Sequence, residues 1–154
     1  MRFGRDRYVD SAACALRIVL DEQRTNGWIP HCCLNEPNAP LLHTLAYAIR
    51  GMLEGGRVLG DSKLIDAAAL AARAIRDAVR DDGWLPGRFD ADWQPAANWS
   101  CLTGDVQMVN NWFRLRDITG DATWLQPIER VLNFVKATQN RTTDNAGLRG
   151  GIKG

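Results

Sequence analysis

The sequence predicts an all-α fold of tandem antiparallel helical hairpins, and three observations predict it. The first is an internal repeat. The segment YVDSAACALRIVLDEQRTNGWIP (8–30) lies over LIDAAALAARAIRDAVRDDGWLP (64–86) at an offset of 56 without a gap, and 10 of the 23 positions are identical. A weaker match at an offset of 60 sets LLHTLAYAIRGMLEGGRVLGD (41–61) over CLTGDVQMVNNWFRLRDITGD (101–121), both closing on Gly-Asp. The second observation is helical periodicity. Leu64, Ala68, Ala71, Ala72, Ile75 and Val79 form one apolar face, opposite Asp66, Arg73, Asp77 and Arg80. The third is that no run sustains a period of two, which leaves no basis for a sheet.

Each unit reads as a helix, a long Gly-Trp-x-Pro loop, a second helix and a short Gly-Asp turn. The first helix is expected over 6–24 and its repeat over 62–80, with a further copy over 122–138. The helices between them are expected over 40–54 and 101–117. Asn38 is a fitting N-cap with Pro40 in the first turn, and the Gly-Gly pair at 55–56 is expected to stop that helix. The loop at 81–100, DDGWLPGRFDADWQPAANWS, is rich in tryptophan and aspartate, and DNAGLRGG (144–151) opens like a third copy. The chain therefore reads as one helical-repeat domain over 1–154 with a repeat of about 56 to 60 residues, a fragment of a longer array. Helix 5 carries Trp124, Leu125, Ile128, Val131, Leu132, Phe134 and Val135, more apolar residues than one buried side needs. Self-association through helix 5 or helix 1, or cover from further repeats, is expected.

Composition excludes several partners. Lys and Arg number 19 against 18 Asp and Glu, so no long-range field favours nucleic acid or an anionic membrane surface. No window approaches the roughly 18 apolar residues of a membrane span. The start MRFGRDRYVD has no apolar run behind its basic residues, so a cytoplasmic location is the expectation. Cys14, Cys32, Cys33 and Cys101 have no framework spacing and read as free thiols. The run His31-Cys32-Cys33, taken with His43 and Cys101, lacks the spaced ligand pairs of a zinc site, so no metal and no cofactor are expected.

The segments NGWIP, DGWLPGRFD and WSCLTGDVQM, set on tandem hairpins, resemble the alpha/alpha toroids. That architecture is shared by six-hairpin glycosidases, unsaturated-glucuronyl hydrolases, N-acylglucosamine epimerases, terpenoid cyclases and lanthionine cyclases. The resemblance implies an arc of such a ring, since a closed toroid needs about twice as many hairpins. It also implies a carbohydrate-active role of hydrolase, lyase or epimerase type, with the long loops gathered at one end to hold substrate. No DxDD or DDxxD run supports a terpenoid cyclase, and the CHG motif of the lanthionine cyclases is absent.

Within that expectation, Trp93, Trp99 and Trp84 offer aromatic faces for a sugar ring, and Arg88 offers a cation for hydroxyls or a uronate. Trp84 and Trp28 recur at equivalent points of the repeat and read first as structural plugs between neighbouring hairpins, which leaves Trp93 and Trp99 as the better ligand candidates. Glycoside cleavage needs two carboxyl groups roughly 5 to 10 Å apart, and Glu36, Asp90, Asp92 and Asp105 are the loop-side candidates. Asp105 has an alternative as a first-turn carboxylate complementing the helix dipole. A polar stripe, His43, Tyr47, Arg50 and Glu54, repeats as Thr103, Gln107, Asn110 and Arg114. It reads either as a solvated face or as the lining of a polar concavity, with His43, Tyr47, Arg50 and Gln107 against substrate. The competing function is a non-catalytic repeat module that binds a glycan or a protein.

Overall fold

A computed structural model describes residues 5–33 and 35–152, with side chains from Arg7 onward. Five α-helices follow one another: α1 (Arg5–Glu22), α2 (Leu42–Leu59), α3 (Ser62–Asp77), α4 (Leu102–Thr119) and α5 (Leu125–Ala137), the last entered through a 3-10 turn at Ala122–Trp124. No strand forms among the described residues; two isolated bridges, Leu41 with Arg88 and Phe89 with Pro95, lie in the loops.

The helices make two layers. α2 and α4 lie side by side, and α1, α3 and α5 pack behind them. α3 sits in the groove between α2 and α4, and the Trp112 indole of α4 donates to the Ala72 carbonyl of α3 at 3.1 Å. Asn111 of α4 donates to the Ala46 carbonyl of α2 at 2.9 Å, which satisfies a fully buried amide at the contact of the two front helices.

The repeat is reproduced bond for bond in the loops. Asn26 and Asp82 each accept from the amide of the tryptophan two residues on, forming an Asx turn. Arg24 and Arg80 each bond the same tryptophan's carbonyl and accept from the intervening glycine. Those glycines, Gly27 and Gly83, have φ of 85° and 84°. A Cβ on Gly27 would meet Leu70 of α3 at 2.9 Å, and one on Gly83 would meet the Arg130 carbonyl of α5 at 2.2 Å. Glycine thus answers two demands at once, a left-handed turn and a backbone seated on the next rear helix. The opposite end of the array closes with Gly60 and Gly120 in the left-handed conformation, each followed by an aspartate that caps the next helix.

Three expectations are corrected. α2 does not stop at Gly55-Gly56 but runs to Leu59, because the helical hydrogen bonds continue and both glycines serve packing. A Cβ on Gly55 would meet Leu16 of α1, and one on Gly56 would meet Ile65 and Leu64 of α3. α2 also begins at Leu42, with Leu41 as N-cap and no side-chain cap, so Asn38 lies outside it. On α5 and the turn that enters it, Trp124, Ile128, Val131 and Val135 are buried and Leu132 and Phe134 are half-buried, leaving Leu125 as the large exposed apolar side chain there. Other large exposed apolar side chains include Tyr8, Val9 and Ile18 on α1, Val58 on α2, and Val106 and Phe113 on α4. Of the segment expected to begin a third copy, residues through 152 form a loop tied by Asn140 and Gln139 to Gly150 and Gly151, while Lys153 and Gly154 lie outside the described residues.

Candidate functional site at the loop end

Helices that alternate in direction put both long loops at one end. There the second loop is laid across the end of the first by backbone bonds, Leu42 N–H to the Gly87 carbonyl and Phe89 N–H to the Pro40 carbonyl, and is folded on itself by Gly87 N–H to the Trp99 carbonyl and Ala96 N–H to the Arg88 carbonyl. Side chains complete the seam. Asn26 donates to the Ala91 carbonyl, and the Trp93 indole donates back to the Asn26 carbonyl at 3.0 Å.

This seam separates the tryptophans into different environments. Trp28 is buried. Trp93 adopts φ of 60° and packs edge-on against Trp28 (5.1 Å) and Phe89 (5.8 Å), so its ring is committed to joining the loops. Trp84 is half-buried with the Arg80 guanidinium over its ring. Trp99 is 46 % exposed and lies against Gly87, where a Cβ would fall 2.2 Å from the ring. The absent side chain lets the indole rest on backbone, which gives a rigid ring with accessible surface.

The carboxylates fall into three settings. Asp90 and Asp92 share a cleft of about 400 Å³ between the loops, lined also by Arg24, Trp28, His31 and Asn38. One Asp90 carboxylate oxygen accepts from the Asp92 and Gln94 amides, so it builds the turn that displays Asp92. Glu36 is exposed on the first loop. Asp105 is fully buried in the first turns of α4, on the helix face of Val109 and Trp112. Ser100 donates to its Oδ2 at 2.6 Å, and Oδ1 has no partner. Burial pushes this carboxyl up to about 7, and the Ser100 bond opposes the shift.

The polar stripes of α2 and α4 lie on the front and join at one point. Arg50 (3.1 Å) and Arg114 (3.5 Å) both reach Glu54 Oε1, bridging the two front helices with a net positive charge. Nearer the loops, His43 packs edge-on against Tyr47 at 4.7 Å. His43 Nδ1 and Gln107 Oε1 are buried without partners, so this part of the stripe offers unspent hydrogen-bonding capacity. Arg88 stands apart, its Nη1 donating to the Ala39 carbonyl at 2.6 Å. No group of three or more His, Cys, Asp or Glu is placed to hold a metal among the described residues.

Sequence reasoning placed the stripe and the loops but not the Glu54–Arg114 bridge, the Ser100 bond or the backing of Trp99 by Gly87. The opposite charges of Glu54 and Arg114 at equivalent repeat positions were the available signal for the first. Nothing in the sequence signalled the other two.

Solved structures share this fold. The unsaturated glucuronyl hydrolase responsible for the degradation of glycosaminoglycan from Bacillus sp. GL1 matches 98 % of the chain with a TM-score of 0.69 at 16 % identity. A UGL variant described with dGlcA-Glc-Rha-Glc matches the same share with a TM-score of 0.72, also at 16 % identity. The fold is that of an alpha/alpha toroid. The chain spans 45 % of the length of each of these proteins. Neither a protein-family model nor a curated protein matches the chain. No helix among the described residues is long and apolar enough to cross a membrane.

Proposed function

We propose that this chain is part of a carbohydrate-active toroid, of glycan hydrolase, lyase or epimerase type, that holds an acidic glycan at its loop end. The observation that carries the reading is Trp99, an exposed indole resting on Gly87 just before α4. Such a ring stacks on a sugar's C–H face at little entropic cost. Along the joined stripe of α2 and α4, His43, Tyr47 and Gln107 supply hydrogen-bonding groups, and Arg50 with Arg114 supplies the cations for a uronate. Arg88 and the half-buried Trp84 lie in the second loop, which carries Trp99.

In the catalytic form of this reading, Asp92 and Asp90 act from the inter-loop cleft, Glu36 joins them from the first loop, and Asp105, whose burial favours the protonated form, is the fourth carboxyl at the start of α4. A second reading, a binding module without catalysis, is favoured by the scatter of the four carboxyl groups over three settings. The test is titration calorimetry with dGlcA-Glc-Rha-Glc, followed by assay for its breakdown. Binding that Trp99→Ala weakens by about 1 to 3 kcal/mol, with turnover, supports the enzyme. The same binding without turnover supports the module. An absence of binding by this chain and by a panel of other acidic glycans would overturn both.

A further inference from the structure

Asp105 departs from the repeat in a way that the glycan reading leaves unexplained. At the offset of 60 its counterpart is Leu45 of α2, and both positions are fully buried. A carboxyl thus stands where the first unit has an apolar side chain, and its Oδ1 has no partner. Such a group is costly to bury. Complementing the helix dipole does not account for it, because a carboxylate in the first turns does that from the surface. Its side-chain bond leads to the loop. Ser100 Oγ donates to Asp105 Oδ2 at 2.6 Å, and the Asp105 amide donates to the Cys101 carbonyl at 2.8 Å, which fixes the acceptor to the start of α4. Ser100 follows Trp99, and the first unit has Pro40 and Ala39 at these two positions. The buried carboxyl and the exposed indole therefore occur together in one unit. Trp99 is held on its other side through the main chain. Its carbonyl accepts from Gly87 N–H at 2.7 Å and the Gly87 carbonyl accepts from Leu42 N–H at 2.9 Å, so these bonds run to the start of α2. The two helix starts touch, since a Cβ on Gly104 would meet His43 N at 2.7 Å. Gln94, Pro95, Ala96 and Asn98, which lead up to Trp99, are exposed, so core packing does little to hold that stretch.

We infer that Asp105 is a positioning residue for Trp99: through the Ser100 hydroxyl it ties the loop end to α4 and holds the exposed indole over Gly87 in one orientation. A ligand then meets a ring that is already ordered, and binding does not have to fix it. The effect on ligand affinity rests on the glycan reading above, whereas the ordering of Trp99 is a property of the free chain. Asp105→Leu gives the position its counterpart's residue and removes the acceptor. Ser100→Ala removes the donor, and Ser100→Thr keeps a hydroxyl there.

The test labels the whole chain with fluorotryptophan and follows its six tryptophans by fluorine NMR, with Trp99 assigned from Trp99→Phe. In the parent, Trp99 should give one sharp resonance distinct from that of the urea-unfolded chain. Asp105→Leu and Ser100→Ala should each broaden that resonance or shift it toward the unfolded position and leave the others in place, while Ser100→Thr should resemble the parent. Affinity for dGlcA-Glc-Rha-Glc, read by calorimetry, should fall about twofold to tenfold in the first two variants, the cost of ordering one side chain on binding. Ser100→Ala should have no further effect on affinity in a Trp99→Ala background. Should circular dichroism show that Asp105→Leu does not fold, Ser100→Ala carries the test, since it trims a half-buried loop residue. If the parent does not bind this glycan, the glycan reading is what suffers, and the resonance decides the inference by itself. A Trp99 resonance unchanged in Ser100→Ala, an equal change in all the tryptophans, no recovery in Ser100→Thr, or an undiminished effect in the Trp99→Ala background would overturn the inference.

Discussion

α1 and α3 are copies of one helix with opposite fates. In α3, Leu64, Ala67, Ala68, Ala71 and Ile75 are all buried, because α2 lies along them. Their repeat equivalents in α1 are Tyr8, Ser11, Ala12, Ala15 and Val19; Tyr8 is 65 % exposed, and none of the five is buried. Sequence pattern determines that each segment is an amphipathic helix, whereas its place in the array determines how much of the apolar face leaves water. Helical stability in proteins comes mainly from such packing, so the two copies should differ sharply in what they contribute.

The largest expected effect is a matched pair of substitutions. Ala71→Arg places a charge in a fully packed interface and should cost about 3 kcal/mol or more, enough to unfold much of the population. Ala15→Arg, at the equivalent exposed position, should change stability by no more than about 0.5 kcal/mol. Urea titration of both variants checks this, and equal losses would break the comparison.

The loops sharpen it, because there both copies are fully engaged. Gly27→Ala and Gly83→Ala should each cost about 2 to 4 kcal/mol, combining left-handed strain with a steric contact on the next helix. Gly83 should be the worse, since its neighbour is the Arg130 backbone carbonyl, whereas the nearest contact of Gly27 is the more yielding Leu70 side chain. Thermal melts that rank Gly27→Ala as the more damaging would contradict that reading.

A smaller effect belongs to Asp105. Its carboxyl is raised from 3.8 to about 7 by burial, so the folded state holds a proton that the unfolded state releases. The resulting stability is fully present below about pH 4 and is lost as pH rises through about 7. Asp105→Asn should flatten this slope, matching the parent near pH 4 and exceeding it at pH 8. Melting curves across that range decide it; an unchanged slope would place the titration elsewhere. A small effect is also expected of Arg114→Ala, which removes one arm of a half-exposed ion pair and should cost no more than about 1 kcal/mol in the same melts.

Much of this was legible in the sequence, for a definable reason. The repeat announced the hairpins because Gly27-Trp28 and Gly83-Trp84 solve the same turn with the same bonds, and Gly60-Asp61 and Gly120-Asp121 solve the other one. What the sequence did not show depends on neighbours far along the chain. Gly55-Gly56 reads as a stop unless Leu16, Leu64 and Ile65 are known to press on it. Trp93 and Trp99 look alike until one is found bonded to Asn26 and the other resting on Gly87. The apolar residues of α5 look surplus until the second loop and α4 are seen to cover them.

Amide hydrogen exchange of the whole chain, resolved by helix, tests the central comparison most directly. Exchange reports the free energy of local opening, and that energy should follow burial rather than sequence pattern. The account predicts that the amides of α3 are protected close to the global stability, while those of α1 exchange at least a hundredfold faster, as expected for a gap of roughly 3 kcal/mol. Equal protection of α1 and α3 would contradict it.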